Sequence, residues 1–131
     1  MSQNYIYKTK VYYEDTDAGG IVYYAKYLHF IERARSEMIY QQLSLSHKKL
    51  KNDHDAIFVV RSCNVKYHKP ANFEDELEIN TSIISKTAVR LNLVQEVRRG
   101  VELLVVAKVE LAVIDSKGSI RKLPLNLLEK I

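Results

Sequence analysis

Tyr12-Tyr13-Glu14-Asp15-Thr16-Asp17-Ala18-Gly19-Gly20-Ile21-Val22-Tyr23-Tyr24 runs from a strand-like segment, through an acidic turn with paired glycines, to the start of the only long helical pattern in the chain. A carboxylate beside a helix N-terminus is a chemically loaded arrangement. The first turn of a helix presents unpaired N–H groups and the positive end of the helix dipole, which suit a developing oxyanion. Asp17 is therefore the first candidate for chemistry.

On the N-terminal side of this stretch, residues 5–13 alternate Tyr5, Tyr7, Thr9, Val11 and Tyr13 with Ile6, Lys8, Lys10 and Tyr12, which predicts a first strand ending in the acidic turn. On the C-terminal side, residues 24–43 hold no Gly or Pro and place Tyr27, Leu28, Ile31, Ala34, Met38 and Ile39 at helical spacing, with Glu32, Arg33, Arg35 and Glu37 between them. Residues 44–55 are polar and basic, a connection with room for a short extra turn. From Ala56 the period changes to two, predicting strands over 57–69, 76–86, 89–98 and 102–114, with Pro70, Gly100 and Ser116-Lys117-Gly118 as punctuation. Pro124 opens a short terminal helix, Leu125-Asn126-Leu127-Leu128. One helix among five antiparallel strands predicts an α+β layer fold, the helix lying on one face of a curved sheet.

The 131 residues, 47% hydrophobic and 27% charged, fit one domain, 1–131, with a core that needs neither metal nor disulfides. The single Cys63 cannot pair within the chain, and the opening Met-Ser-Gln-Asn-Tyr lacks a basic-then-apolar leader pattern. No window approaches the roughly 18 apolar residues of a membrane span. The expectation is a cytoplasmic protein without membrane insertion. A net charge of +4 favours anionic ligands, but the basic residues are scattered rather than striped, which argues against nucleic acid.

Other chemistries find little support. His29, His47, His54 and His68 show no metal-ligand spacing, Ser36 lacks a nucleophile elbow, and Cys63 has no basic partner near it in sequence. There is no phosphate or dinucleotide glycine loop, and no metal or redox cofactor is expected.

Three segments resemble the hotdog-fold acyl-CoA thioesterases, the family that includes 4-hydroxybenzoyl-CoA thioesterase and the Tol-Pal-associated YbgC-like enzymes. Tyr13 to Tyr23 is similar to the family's active-site signature, and Tyr27 to Glu37 to its central helix. Tyr67-His68-Lys69-Pro70-Ala71 with Asp75-Glu76-Leu77-Glu78-Ile79 is similar to its second-to-third-strand corner. The resemblance implies a long helix wrapped by a five-stranded antiparallel sheet, and a homodimer, often doubled to a tetramer, with sites between subunits. An unpaired sheet edge in a monomer points the same way.

By the same resemblance Asp17 is the nucleophile or general base, and the backbone N–H of Tyr24 is the oxyanion donor. Many YbgC-like members carry His where this chain has Tyr24, so the role that carries over is that of the main chain. Glu14 and Asp15 read as solvated or structural. Coenzyme A is part of the substrate, not a cofactor, and Lys66, Lys69, Lys86 and Arg90 near strand ends are candidates for its phosphates. Tyr27, Phe30 and Ile31 are core residues at helical spacing, with an acyl tunnel as the functional alternative. The implied reaction is hydrolysis of acyl-CoA, with a lean to fatty acyl chains. Two alternatives stay open: a hotdog dehydratase, and a non-catalytic module binding acyl-CoA or acyl carrier protein beside lipid-synthesis enzymes.

Overall fold

A computed structural model describes residues 4–131; Met1–Gln3, where the leader reading and the 1–131 domain begin, lie outside them. Five strands follow the expected order: β1 Asn4–Lys10, β2 Ile57–Tyr67, β3 Glu76–Lys86, β4 Arg90–Arg99 and β5 Glu102–Ile114. They form one antiparallel sheet in the order β1-β3-β4-β5-β2, so β1 and β2 are its edges. The long helix α1, Lys26–Leu43, lies against β1 and β3. This is the helix-in-sheet architecture that the resemblance implies.

The α1 stripe of Tyr27, Phe30, Ile31, Ala34, Met38, Ile39 and Leu43 is buried, as three- and four-residue spacing requires. It meets Leu91, Leu93 and Val97, alternate residues of β4 that are buried with it. Each large side chain so buried contributes roughly 1.5–3 kcal/mol. Gln95 interrupts the apolar row on β4. It is 0% exposed, and its Nε2 donates to the Ile31 carbonyl oxygen of α1 at 2.8 Å and to Thr81 Oγ1 of β3 at 2.9 Å.

Four expectations need correction. The first strand ends at Lys10 rather than Tyr13, because the Asp15 carboxylate accepts the Tyr12 N–H at 2.9 Å and closes a 3-10 turn over Tyr13–Asp15. The helix starts at Lys26 rather than Tyr24, and Leu28, one position off the buried stripe, is 43% exposed. Strand β2 stops at Tyr67 rather than residue 69, since the N–H groups of His68 and Lys69 both turn onto the Leu104 carbonyl. The 44–55 connection holds a full helix, α2 His47–His54, capped by Ser46 Oγ on the Lys49 N–H at 3.0 Å and anchored by Leu50. The terminal helix, α3 Leu125–Leu128, follows Pro124 as expected.

Candidate active site

The glycine-containing turn is a small hairpin. Thr16 and Val22 bridge in antiparallel fashion, the Asp17 N–H donates to the Ile21 carbonyl at 2.9 Å, and the Gly20 N–H donates to the Asp17 carbonyl at 3.1 Å. Asp17 Oδ1 accepts the Gly19 N–H at 2.8 Å, the local side-chain turn that aspartate forms readily. Gly20 sits at φ +81°, a conformation that costs an L side chain strain. Asp17 itself is exposed, and among the described residues Oδ2 has no hydrogen-bond partner.

Tyr23, Tyr24 and Ala25 separate this hairpin from the start of α1. No side chain caps Ala25, and the first turn carries no acid. Among the described residues the Tyr24 N–H donates to no acceptor, while its carbonyl accepts the Tyr67 hydroxyl at 3.0 Å. The carbonyl of the same peptide group, that of Tyr23, accepts the Lys26 N–H at 2.8 Å, which holds the amide in place; a fixed main-chain donor of this kind suits an oxyanion because it need not reorganise. Tyr67 also packs edge-on to Tyr24 and Tyr27, with ring centroids 6.4 and 5.6 Å away. Partial burial raises its hydroxyl pKa, helped by Cys63 and Tyr24, so it stays a neutral donor. In the sequence Tyr67 stands only as part of a corner motif; its bond to a residue 43 positions away has no local signature.

Two supports hold the hairpin and helix together. Lys26 of α1 pairs with the nearly buried Asp15 carboxylate at 3.3 Å, so Asp15 is structural and its charge is compensated before it reaches Asp17. The 70–75 loop docks on the other side. The Val22 N–H donates to the Ala71 carbonyl at 2.9 Å, Ile21 bridges Asn72, and the Phe73 N–H donates to the Gly20 carbonyl at 3.3 Å. The Ala71 N–H in turn donates to the buried Tyr27 hydroxyl at 2.9 Å.

The four basic candidates divide between the two ends of the sheet. Lys66 and Lys69 lie at the Asp17 end, Lys66 exposed and Lys69 paired with Glu102 at 3.2 Å. Lys86 and Arg90 flank the β3–β4 turn at the opposite end, where Lys86 Nζ donates to the carbonyls of Leu128 and Ile131. One chain therefore does not gather them into a single phosphate site. Tyr27, Phe30 and Ile31 are at most 3% exposed and fill the core, so they do not open into a tunnel. Cavities of about 670, 410 and 200 Å³ occur among the described residues, and neither Asp17 nor Tyr24 lines any of these. Asp17 and Tyr24 are both exposed on the single chain. No helix among the described residues is long and apolar enough to cross a membrane.

A five-stranded antiparallel sheet curled around one long helix, with a carboxylate hairpin leading into that helix, defines the hotdog class. Residues 11–131 match the model of the thioesterase-like superfamily, and the chain belongs to that family. It is 34% identical over 115 residues to the acyl-CoA thioesterase YbgC of Haemophilus influenzae, covering 88% of this chain and 84% of that protein. It is 47% identical over 88 residues to the acyl-CoA thioester hydrolase YbgC of Escherichia coli O6:H1, a match that spans 67% of this chain and 64% of that relative. The crystal structure of a probable thioesterase from Bartonella henselae superposes with a TM-score of 0.88 at 34% identity, covering 93% of this chain and all of that one.

Proposed function

We propose that this chain hydrolyses acyl-CoA thioesters, releasing a free acid and coenzyme A, with Asp17 and the Tyr24 N–H as its central pair. The observation that carries the reading is an oriented carboxylate with a free Oδ2, followed just before α1 by the unpaired main-chain amide of Tyr24. The two relatives, one named an acyl-CoA thioesterase and the other an acyl-CoA thioester hydrolase, support the substrate class.

In the general-base form, Asp17 takes a proton from water as the water oxygen bonds to the acyl carbon. The carbonyl electron pair moves onto oxygen, where the Tyr24 N–H holds it. Collapse of this intermediate breaks the C–S bond, and the thiolate leaves with the proton. In the nucleophilic form, Asp17 Oδ2 attacks first and water then cleaves the acyl anhydride. Single turnover in heavy-oxygen water separates the two, since only the anhydride route leaves label in the Asp17 carboxylate.

A second copy of the chain completes the site in this reading. Val60, Arg61, Ser62, Cys63 and Asn64 of the edge strand β2 are all exposed, an unpaired rim that suits antiparallel addition of an identical strand. A homodimer, doubled to a tetramer, brings the basic residues of two chains into play, with Lys66 and Arg90 the freest to meet CoA phosphates. The protein then works in the cytoplasm, as a 1–131 hotdog domain on fatty acyl chains, beside acyl carrier protein or lipid-synthesis enzymes. Thiol release by the purified protein from aromatic, short-chain and long-chain acyl-CoAs is the test. Release fastest with fatty acyl-CoA supports the proposal; tight acyl-CoA binding with no release from any member refutes it in favour of a binding module.

A further inference from the structure

We propose that Arg99, at the end of β4, is a positioning residue for the Asp17 hairpin, acting through Asp75 and the 70–75 loop. This inference rests on the reading of Asp17 as the reacting carboxylate. On its own, Arg99 resembles an ordinary rim ion pair of the kind that contributes little. Its geometry is different because the guanidinium grips both ends of one loop. Nη1 donates to Asp75 Oδ2 at 2.6 Å and to the Pro70 carbonyl at 3.4 Å, while Nε donates to Glu102 Oε1 at 3.3 Å. The planar fork allows several such bonds from one side chain, which a lysine point charge cannot reproduce.

Between those two ends, the loop residues hold the site. Ala71 takes the Val22 N–H and gives its own N–H to the Tyr27 hydroxyl of α1. Asn72 bridges Ile21 and donates its N–H to Asp75 Oδ2 at 2.8 Å, the oxygen that Arg99 also binds. The Phe73 N–H reaches the Gly20 carbonyl, and its ring stacks on Tyr13 with centroids 4.1 Å apart. The Glu74 N–H donates to the Val11 carbonyl from a backbone at φ +69°, a strained conformation for a residue with a side chain. Apart from the Ile21–Asn72 bridge the loop has no ladder pairing; at its Asp75 end the carbonyl accepts the Val11 N–H at 2.9 Å, and Arg99 adds the side-chain bonds that tie this end to the Pro70 end. A shift at Asp75 is passed through Asn72 and Phe73 to Ile21 and Gly20, and so to the carboxylate that Gly19 orients. Displacements well below an ångström at a reacting group lower turnover while leaving remote binding contacts intact.

The test uses the full chain carrying Arg99→Ala or Arg99→Lys, with Lys8→Ala as a control that removes an exposed pair with Glu78 elsewhere on the sheet. Amide hydrogen exchange over residues 16–24 and steady-state hydrolysis are measured on each. In Arg99→Ala we expect exchange over 16–24 to speed by about tenfold with β3, β4 and β5 unchanged. The kcat should fall by about ten- to a hundredfold with KM within about twofold. Arg99→Lys should recover part of both losses, and Lys8→Ala should match wild type. Wild-type exchange over 16–24 in Arg99→Ala overturns the proposal, as does a rise spread evenly over the whole sheet. If Arg99→Ala fails to fold, Arg99→Lys decides by the same two readouts. If wild-type protein releases no thiol, the proposed reaction fails, and the exchange measurement still decides the coupling.

Discussion

Gln95→Leu removes the one polar side chain set into the apolar row of β4 while keeping nearly its volume. Two short hydrogen bonds are lost, to the Ile31 carbonyl at 2.8 Å and to Thr81 Oγ1 at 2.9 Å. At about 1 kcal/mol net for each, that is about 2 kcal/mol. The Thr81 hydroxyl, 0% exposed, then loses its donor in a site closed to water, which adds about 1 kcal/mol more. The Ile31 carbonyl sits within α1 and keeps helical partners, so it adds little. Arg35 Nη1, at 3.5 Å from Gln95 Oε1, makes too long a contact to count for much. The expected loss is about 3 kcal/mol. For 131 residues with a melting entropy of about 2.1 cal/mol/K each, this lowers Tm by about 10 °C. Urea unfolding at matched protein concentration is the assay, read as a lower midpoint at constant slope. Adding Thr81→Val should return about 1 kcal/mol, because the stranded hydroxyl is then gone as well. A Gln95→Leu protein within about 0.5 kcal/mol of wild type would refute the claim that this amide ties helix to sheet.

Two further predictions come from local geometry. Gly20→Ala places a side chain at φ +81° with no atom in its way, so it costs about 1–2 kcal/mol in backbone strain and should show as a lower unfolding midpoint. Gly19→Ala meets no such strain, but its Cβ lies 3.2 Å from Asp17 Oδ1; it should leave stability within about 0.5 kcal/mol and cut kcat by about two- to tenfold. Burial holds the half-buried His47 imidazole below its ordinary pKa, partly offset by Glu32. Its stabilising contribution is therefore present above the ordinary value near pH 6.5 and is lost as pH falls through the depressed folded value. Unfolding midpoints of wild type and His47→Gln should then diverge at neutral pH and converge as the solution is acidified.

How much of this was legible depended on the range of the interaction involved. Strand β3 is found at its expected ends because its alternation and flanking turns are local, and α1 is found because its stripe repeats over many turns. The Asp17 turn is equally local, since the carboxylate bonds a backbone two residues on. Helix α2 escaped because Leu50 is its only buried residue, which leaves no periodicity to read. Tyr12 and Tyr13 have the composition of a strand, yet the Asp15 side chain captures the Tyr12 N–H and wins. The roles of Gln95, Tyr67 and Arg99 depend on partners 64, 43 and 24 positions away, which no window reveals. Lys66, Lys69, Lys86 and Arg90 were rightly placed near strand ends. In an antiparallel sheet the two ends of β3 lie at opposite rims, so that nearness did not bring them together.

The central claim is that the Asp17 carboxylate does chemistry that its turn does not require for folding. Asp17→Asn keeps an Oδ1 acceptor for the Gly19 N–H, so the hairpin is preserved while the base or nucleophile is lost. Turnover of a fatty acyl-CoA measured beside its dissociation constant is the decisive pair of values. Turnover in Asp17→Asn should be lower by about two to four decades, with binding changed less than about threefold. Near wild-type turnover in Asp17→Asn would contradict it.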